Sequence, residues 1–124
     1  MKLRSIIVDD SSMQRMAVAK LVNNHPNLAM VAEYSNAIEG KNGIKNNEID
    51  LIFLDVEMPY GNAFDLLDKV GDRNFETVFV TAYNHYAIDA LNAHAAFYLL
   101  KPISIDALIA AVDHVQEINT KEKE

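Results

Sequence analysis

Short apolar runs alternate along this chain with longer amphipathic segments, and this alternation restricts the fold more than any other feature. The apolar runs predict five strands, at 3–8, 28–34, 49–55, 76–81 and 96–100. The amphipathic segments predict five helices, at 12–24, 36–48, 62–70, 84–94 and 104–118. Strict alternation of this kind predicts an α/β fold, in which right-handed crossovers produce a doubly wound parallel sheet.

The predicted strands are expected to differ in how many of their faces are buried. The runs "LRSIIV" and "IDLIFLD" are almost continuously apolar, which is typical of strands covered on both faces. The segment 28–34 alternates more and is expected nearer the edge of the sheet. Among the helices, 36–48 has the weakest pattern because Gly40 and Gly43 each cost about 1 kcal/mol relative to alanine inside a helix.

Caps and apolar stripes give each helix an expected start and an expected buried face. Candidate N-caps are Ser11 or Ser12, Asn84 and Ser104. The side chains expected to face the sheet are Met13, Met16, Ala17 and Leu21 in the first helix, Ile88 and Leu91 in the fourth, and Ile105, Leu108, Ile109, Val112 and Val115 in the fifth.

Composition restricts the class of protein. A length of 124 residues fits one domain, expected over 1–118, followed by a charged tail or the start of a linker at 119–124. The net charge of −7 and the scattering of the 11 basic residues argue against direct nucleic-acid binding by this domain. The sequence contains no cysteine, no signal-peptide core and no membrane span, so a cytoplasmic location without membrane contact is expected.

Polar residues stand where four of the five strands end. Asp9 and Asp10 follow the first strand, Asp55 and Thr81 end the third and the fourth, and Lys101 follows the fifth. Parallel strands end at a common edge, where doubly wound sheets bind their ligands. Taken singly, such residues can have a purely structural role; Asp9 or Asp10, for example, could cap a helix. Together they indicate a site.

The residue types at this edge suit phosphoryl chemistry. Clustered carboxylates favour Mg²⁺, with Mn²⁺ as the alternative ion, over zinc. A lysine and a hydroxyl would bind phosphoryl oxygens, and a carboxylate can itself become an aspartyl-phosphate. The four histidines have no metal-like spacing and are expected at the surface or at helix ends.

The motifs "IIVDDSS", "LIFLDVEMP", "VFVTAY" and "YLLKPIS" resemble the motif blocks of response-regulator receiver domains of two-component signalling, over essentially the whole chain. This resemblance implies a flavodoxin-like fold of strand order 2-1-3-4-5 with five helices. It implies that Asp55 accepts a phosphoryl group from a sensor histidine kinase. Such a receiver is not an enzyme with an external substrate, but autocatalyses its own phosphorylation and dephosphorylation.

The resemblance also implies roles for the residues around Asp55. The expected metal ligands are Asp9, partly through water, Asp10, Asp55 and the backbone carbonyl of Glu57. The expected phosphoryl-binding and switch residues are Thr81, Ala82, Lys101 and Tyr98, with a cis peptide bond at Pro102. Glu57 and Tyr83 occupy the places that tune dephosphorylation. One departure concerns the acceptor loop, where Ala63 replaces the usual glycine.

The stretch "VTAYNHYAIDALNAHAAFYLLKPISIDAL" especially resembles receivers that precede a LytTR-type DNA-binding domain. It implies control of transcription, with the fourth helix, fifth strand and fifth helix as the face of a homodimer. The chain is then either part of a longer regulator or a stand-alone receiver. Two other functions remain as alternatives, a magnesium-dependent phosphatase or phosphotransferase and a protein-binding module that no longer uses phosphate.

Overall fold

The computed structural model describes residues 2–58, 61–71 and 73–123, with side-chain positions up to residue 118. The strands are β1 (Leu3–Val8), β2 (Leu28–Tyr34), β3 (Leu51–Leu54), β4 (Glu76–Thr81) and β5 (Phe97–Leu100). The helices are α1 (Ser12–Asn23), α2 (Ala37–Asn46), α3 (Ala63–Val70), α4 (Ala87–Asn92) and α5 (Ile105–Lys123). All pairings are parallel and the order is β2-β1-β3-β4-β5, which confirms the predicted flavodoxin-like fold.

The sheet separates two apolar layers because successive side chains of a strand point to opposite faces. In β1, Ile6 and Val8 belong to a cluster that includes α3 residues, whereas Ile7 belongs to a cluster that includes α1 and α5 residues. All four residues of β3 are buried, as a central strand covered on both faces requires. The edge position of β2 was also predicted correctly.

The two glycines of α2 lower its helix propensity but allow the helix to pack closely against its neighbours. A Cβ on Gly40 would lie 3.0 Å from Cγ2 of Val8, and one on Gly43 would lie 2.2 Å from Cε2 of Tyr34. Both glycines therefore let α2 approach neighbouring side chains more closely than any larger residue would. Asn36 caps the helix by accepting a hydrogen bond from the Glu39 amide at 2.9 Å.

The predicted buried face of α1 is wrong. Met13 is 80% exposed and Met16 is 70% exposed. Ala17 is exposed as well, Leu21 is half-buried, and the side chains that enter the core are Val18, Ala19 and Val22. The helix has apolar residues on two sides, and the β-branched and smaller ones pack against the sheet. Ser11 is the N-cap, with its hydroxyl accepting from the Gln14 amide at 3.3 Å.

The predictions for α4 and α5 need similar corrections. Ile88 and Leu91 are 74% and 73% exposed, and α4 buries Ala90 instead. No side chain caps α4, which follows Tyr86 rather than the predicted Asn84.

In α5, Leu108, Val112 and Val115 face inward as predicted, but Ile105 and Ile109 are exposed. Ser104 caps this helix, because its hydroxyl accepts from the Ala107 amide at 3.1 Å. The helical backbone continues to Lys123, past the predicted end at 118. None of the described helices is both long enough and apolar enough to cross a membrane.

Candidate functional site

The five predicted site residues meet at the carboxyl edge of the sheet. The strand register aligns Val8 with Leu54 and Thr81 with Leu100, so the residues that follow these strands emerge side by side. The Asp55 amide donates to the Val8 carbonyl at 2.9 Å, and the Lys101 amide donates to the Thr81 carbonyl at 2.8 Å. The backbone therefore fixes where Asp55 and Lys101 project.

Three carboxylates converge there. One ligand oxygen from each of Asp9, Asp10 and Asp55 lies within 4.8 Å of the other two. Asp9 and Asp55 are buried and Asp10 is exposed, so the cluster opens to solvent on the Asp10 side. Hard carboxylate oxygens at this spacing fit Mg²⁺, which prefers few protein ligands and keeps several waters. Among the described residues, this is the one group of acidic or histidine side chains with a spacing suited to a metal ion.

Lys101 supplies the positive charge at the site. Its Nζ lies 2.7 Å from Oδ2 of Asp9 and 3.4 Å from Oδ2 of Asp55. It also donates to Oε1 of Gln14 in the first turn of α1, a partner that the sequence analysis did not identify. The cation offsets part of the repulsion among the acids, and its position next to Asp55 would suit binding of a phosphoryl oxygen.

Burial changes the acidity of the central carboxylate. Desolvation, followed by the negative charge of Asp9, raises the pKa of Asp55 from 3.8 to about 6, and Lys101 opposes this rise only in part. Asp9 accepts a hydrogen bond on Oδ1 from the Ser11 amide at 2.9 Å. The two buried acids therefore have different partners. Asp9 contacts the Ser11 amide and Lys101, whereas Asp55 contacts Lys101 alone among the described side-chain contacts.

The last residue of β4 carries the hydroxyl of the site, and the loop that follows bonds to it. Thr81 is buried, and its Oγ1 accepts from the Tyr83 amide at 3.3 Å. The Tyr98 hydroxyl donates to the Tyr83 carbonyl, so the half-buried ring of Tyr98 is linked to this same loop. Burial raises the pKa of Tyr98 above its usual value. Ala82 is exposed, and it lines the same groove as Lys101.

Glu57 makes a contact that no sequence motif signalled. Its Oε1 accepts a hydrogen bond from the Tyr86 hydroxyl, and this bond raises the pKa of Tyr86 to about 12. The Tyr86 ring lies 6.2 Å from that of Phe64 and 4.2 Å from that of His85, measured between ring centroids. Glu57 and Tyr86 are 29 positions apart in irregular segments, so neither helical nor strand periodicity relates them.

Two expectations concern prolines of the motif loops. The Lys101–Pro102 peptide bond is cis, as the resemblance implies. The acceptor-loop proline, Pro59, lies outside the described residues. The following Gly61 has φ +126°, a value that L side chains rarely adopt, so the glycine conformation in this loop is found before Ala63 rather than at it.

The comparisons with known proteins agree with this geometry. Residues 6–113 match the response regulator receiver domain family. The chain is 41% identical over 102 residues to an uncharacterized response regulatory protein of Yersinia pestis, covering 82% of this chain and 43% of that protein. It is 32% identical to the sensory transduction protein LytT of Enterococcus faecalis, covering 87% of this chain and 46% of LytT.

The fold has matching solved structures. The REC domain of AraT, a response regulator from Geobacillus stearothermophilus, superposes with a TM-score of 0.88 at 25% identity, and the match covers 100% of both chains. The chain therefore belongs to the response regulator receiver domain family. It spans about half the length of the curated relatives described above, at 43% and 46%.

Proposed function

We propose that this receiver takes a phosphoryl group onto Asp55 from a sensor histidine kinase. The observation that carries the proposal is the placement of Asp55, which lies beside Lys101 at 3.4 Å and within a trio of carboxylates. In the transfer, an Asp55 carboxylate oxygen forms an O–P bond while the N–P bond of a phosphohistidine breaks. Lys101 and the Thr81 hydroxyl would bind the phosphoryl oxygens as charge redistributes.

Mg²⁺ is the proposed cofactor, with Mn²⁺ as an alternative. Asp10 and Asp55 would bind it directly, Asp9 partly through water, and the Glu57 backbone carbonyl would complete the protein ligands. When bound, the ion supplies neutralising charge to a phosphoryl oxygen. The chain's own contribution is to hold three acids at one edge of the sheet. Their mutual repulsion is unfavourable unless a cation lies among them.

We further propose that phosphorylation shifts an equilibrium between two conformations of the receiver. Thr81 and Tyr98 are coupled through Tyr83, because both bond to its backbone. A movement of Thr81 toward a phosphoryl group would therefore be felt by Tyr98 and by the start of α4. Glu57 and the half-exposed Tyr83 would set the rate at which water removes the phosphoryl group, since they occupy the two positions that the family resemblance links to dephosphorylation.

Two surfaces suit protein partners. The exposed Met13 and Met16 adjoin a largely apolar groove of about 380 Å³ between α1 and the loop after β5, which also includes Lys101, and this face would receive the kinase. Ile88, Leu91 and Leu100 expose apolar side chains on α4 and β5, where a homodimer would form.

The similarity to LytT supports an output through a LytTR-type DNA-binding domain, with control of transcription.

The test is labelling by a small acyl phosphate with Mg²⁺, followed by intact mass and peptide mapping. We expect a gain of one phosphoryl group on Asp55 that chelation of Mg²⁺ prevents. Asp55→Asn should remain unlabelled, whereas the matched variant Asp68→Asn, at an exposed position of α3, should be labelled normally. Asp10→Asn should require more Mg²⁺ for the same extent of labelling. Equal labelling of Asp55→Asn and the unmodified protein would refute the proposal.

A further inference from the structure

The hydrogen bond between Tyr86 and Glu57 joins two segments beyond the ends of the paired strands β3 and β4, whose register ends at Leu54 and Phe79. Glu57 lies between β3 and α3, two residues after Asp55. Tyr86 immediately precedes α4, and its carbonyl accepts the Ala90 amide at 2.9 Å as the first bond of that helix. The phenol therefore links the acceptor segment to the beginning of α4.

The position of the Tyr86 hydroxyl is fixed by aromatic packing. Its ring contacts Phe64 of α3, whose own ring centroid lies 5.1 Å from that of the buried Phe79 in β4. This chain of rings leads from the core to the hydroxyl. Because the Tyr86 ring packs against Phe64, we expect its hydroxyl to have a defined position and to orient the Glu57 carboxylate.

The direction of the Glu57 side chain matters because Asp55, a member of the cluster of three carboxylates, lies two residues earlier in the chain. Glu57 is exposed, and its carboxylate is absent from the group of three acids whose oxygens converge. A flexible carboxylate two residues from Asp55 would be attracted to a divalent cation in that group. The number of charged ligands is one of the quantities that sets the affinity of an oxygen site for such cations.

We propose that Tyr86 is a positioning residue that holds the Glu57 carboxylate toward α4 and away from the cluster of Asp9, Asp10 and Asp55. This contact keeps the affinity for Mg²⁺ below what four carboxylates would give, and it ties the first turn of α4 to the acceptor segment. The effect on Mg²⁺ rests on the proposed function, whereas the effect on α4 depends only on the contact itself.

Calorimetric titration with Mg²⁺ tests the first effect. Tyr86→Phe removes the hydroxyl and keeps the ring, so it should bind Mg²⁺ about threefold to tenfold more tightly as Glu57 becomes free to reach the ion. Tyr86→Phe combined with Glu57→Gln should return to within about twofold of the unmodified protein, because no fourth charge remains. The control is Tyr34→Phe, which removes a phenol bonded to Asn47 rather than to an acidic side chain and should leave the affinity unchanged.

Hydrogen exchange of the Mg²⁺-free protein tests the second effect. Tyr86→Phe and Glu57→Ala each break the contact, from opposite sides, and should raise the exchange rate of the Ala90 amide about threefold to tenfold. The double variant should exchange no faster than either single one. Tyr34→Phe should exchange like the unmodified protein.

The outcomes separate the two proposals. If the unmodified protein binds no Mg²⁺, the proposed cofactor and its tuning by Tyr86 are both wrong, and exchange alone decides the link to α4. If it binds Mg²⁺ but Tyr86→Phe shows unchanged affinity, or if the gain persists without the Glu57 charge, the positioning role is wrong. Unchanged exchange at Ala90 in both single variants would overturn the link to α4.

Discussion

The ammonium of Lys101 lies 2.7 Å from Oδ2 of Asp9, and the same nitrogen lies 3.4 Å from Oδ2 of Asp55. Both side chains of the closer pair are largely buried. In the absence of a metal ion, this lysine is the cation that two buried acids share. Lys101 therefore has a structural role before any phosphoryl group arrives, and a divalent cation would take over part of that role.

Replacing Lys101 by methionine should destabilise the Mg²⁺-free protein by about 1–3 kcal/mol, because it leaves buried carboxylates without their cation. Saturating Mg²⁺ should restore most of the loss, since the ion neutralises the same acids. Urea unfolding with and without Mg²⁺ measures both effects. Lys2→Met, at an exposed position before β1, is the control and should change stability by less than about 0.5 kcal/mol. A stability loss that Mg²⁺ does not reduce would contradict the idea that the two cations share a role.

Asp55 should destabilise the Mg²⁺-free protein at neutral pH. Its pKa is raised from 3.8 to about 6, so the folded state binds the proton more tightly than the unfolded state. The penalty for ionised Asp55 is therefore fully present above about pH 6 and disappears as the pH falls toward 3.8.

Asp55→Asn removes this penalty, and at about pH 7.5 it should stabilise the Mg²⁺-free protein by about 1–2 kcal/mol, a figure reduced from the full pKa shift because the site opens to solvent. The difference from the unmodified protein should shrink as unfolding is measured at lower pH, and saturating Mg²⁺ should shrink or reverse it. Asp113→Asn, an exposed position of α5, provides the control. A stability difference that is the same at all pH values would show that Asp55 ionisation is not its origin.

The positions of the strand-end residues were predicted from the sequence far better than the helix faces, for a physical reason. A residue that ends a parallel strand reaches a known edge of the sheet whatever the rest of the chain does, so Asp9, Asp55 and Lys101 could be placed together in advance. The fold followed from the same alternation of elements. The order of the strands came from the family resemblance, because periodicity does not determine which strands are neighbours.

The faces of the short helices could not be read in the same way. In α1 the apolar residues Met13 and Met16 lie outside and Val18 and Val22 lie inside, so the pattern contains two candidate stripes. Contacts such as Tyr86 with Glu57 depend on the conformation of two loops, which no periodic pattern encodes. Sequence reasoning was accurate where the sheet fixes position and failed where tertiary packing chooses between apolar surfaces.

This choice of surface in α1 can be measured. Met13→Ala and Met16→Ala should each change the free energy of unfolding by less than about 0.5 kcal/mol, since their side chains remain in water. Val22→Ala should destabilise by about 2–3 kcal/mol, because it opens a cavity in the core. Chemical denaturation of the three variants tests the assignment. A loss of more than about 1 kcal/mol at Met13 would show that the originally predicted stripe is the buried one.

The close approach of Gly43 to Tyr34 gives a prediction opposite in sign to helix propensity. Alanine at Gly43 should favour an isolated helix by about 1 kcal/mol. In the folded protein its Cβ would lie 2.2 Å from Cε2 of Tyr34, so the ring must move, and we expect this movement to weaken its hydrogen bond with Asn47. Gly43→Ala should therefore destabilise the protein by about 1 kcal/mol or more in urea unfolding.

The control for the Gly43 prediction is a change of the Tyr34 side chain rather than of the helix. In a Tyr34→Ala background the three atoms nearest the added methyl group are absent, so Gly43→Ala should then stabilise by up to about 1 kcal/mol through helix propensity. The sign of the glycine substitution thus depends on one neighbouring ring. If Gly43→Ala destabilised the protein equally in both backgrounds, the cause would lie in the backbone of α2 rather than in its contact with β2.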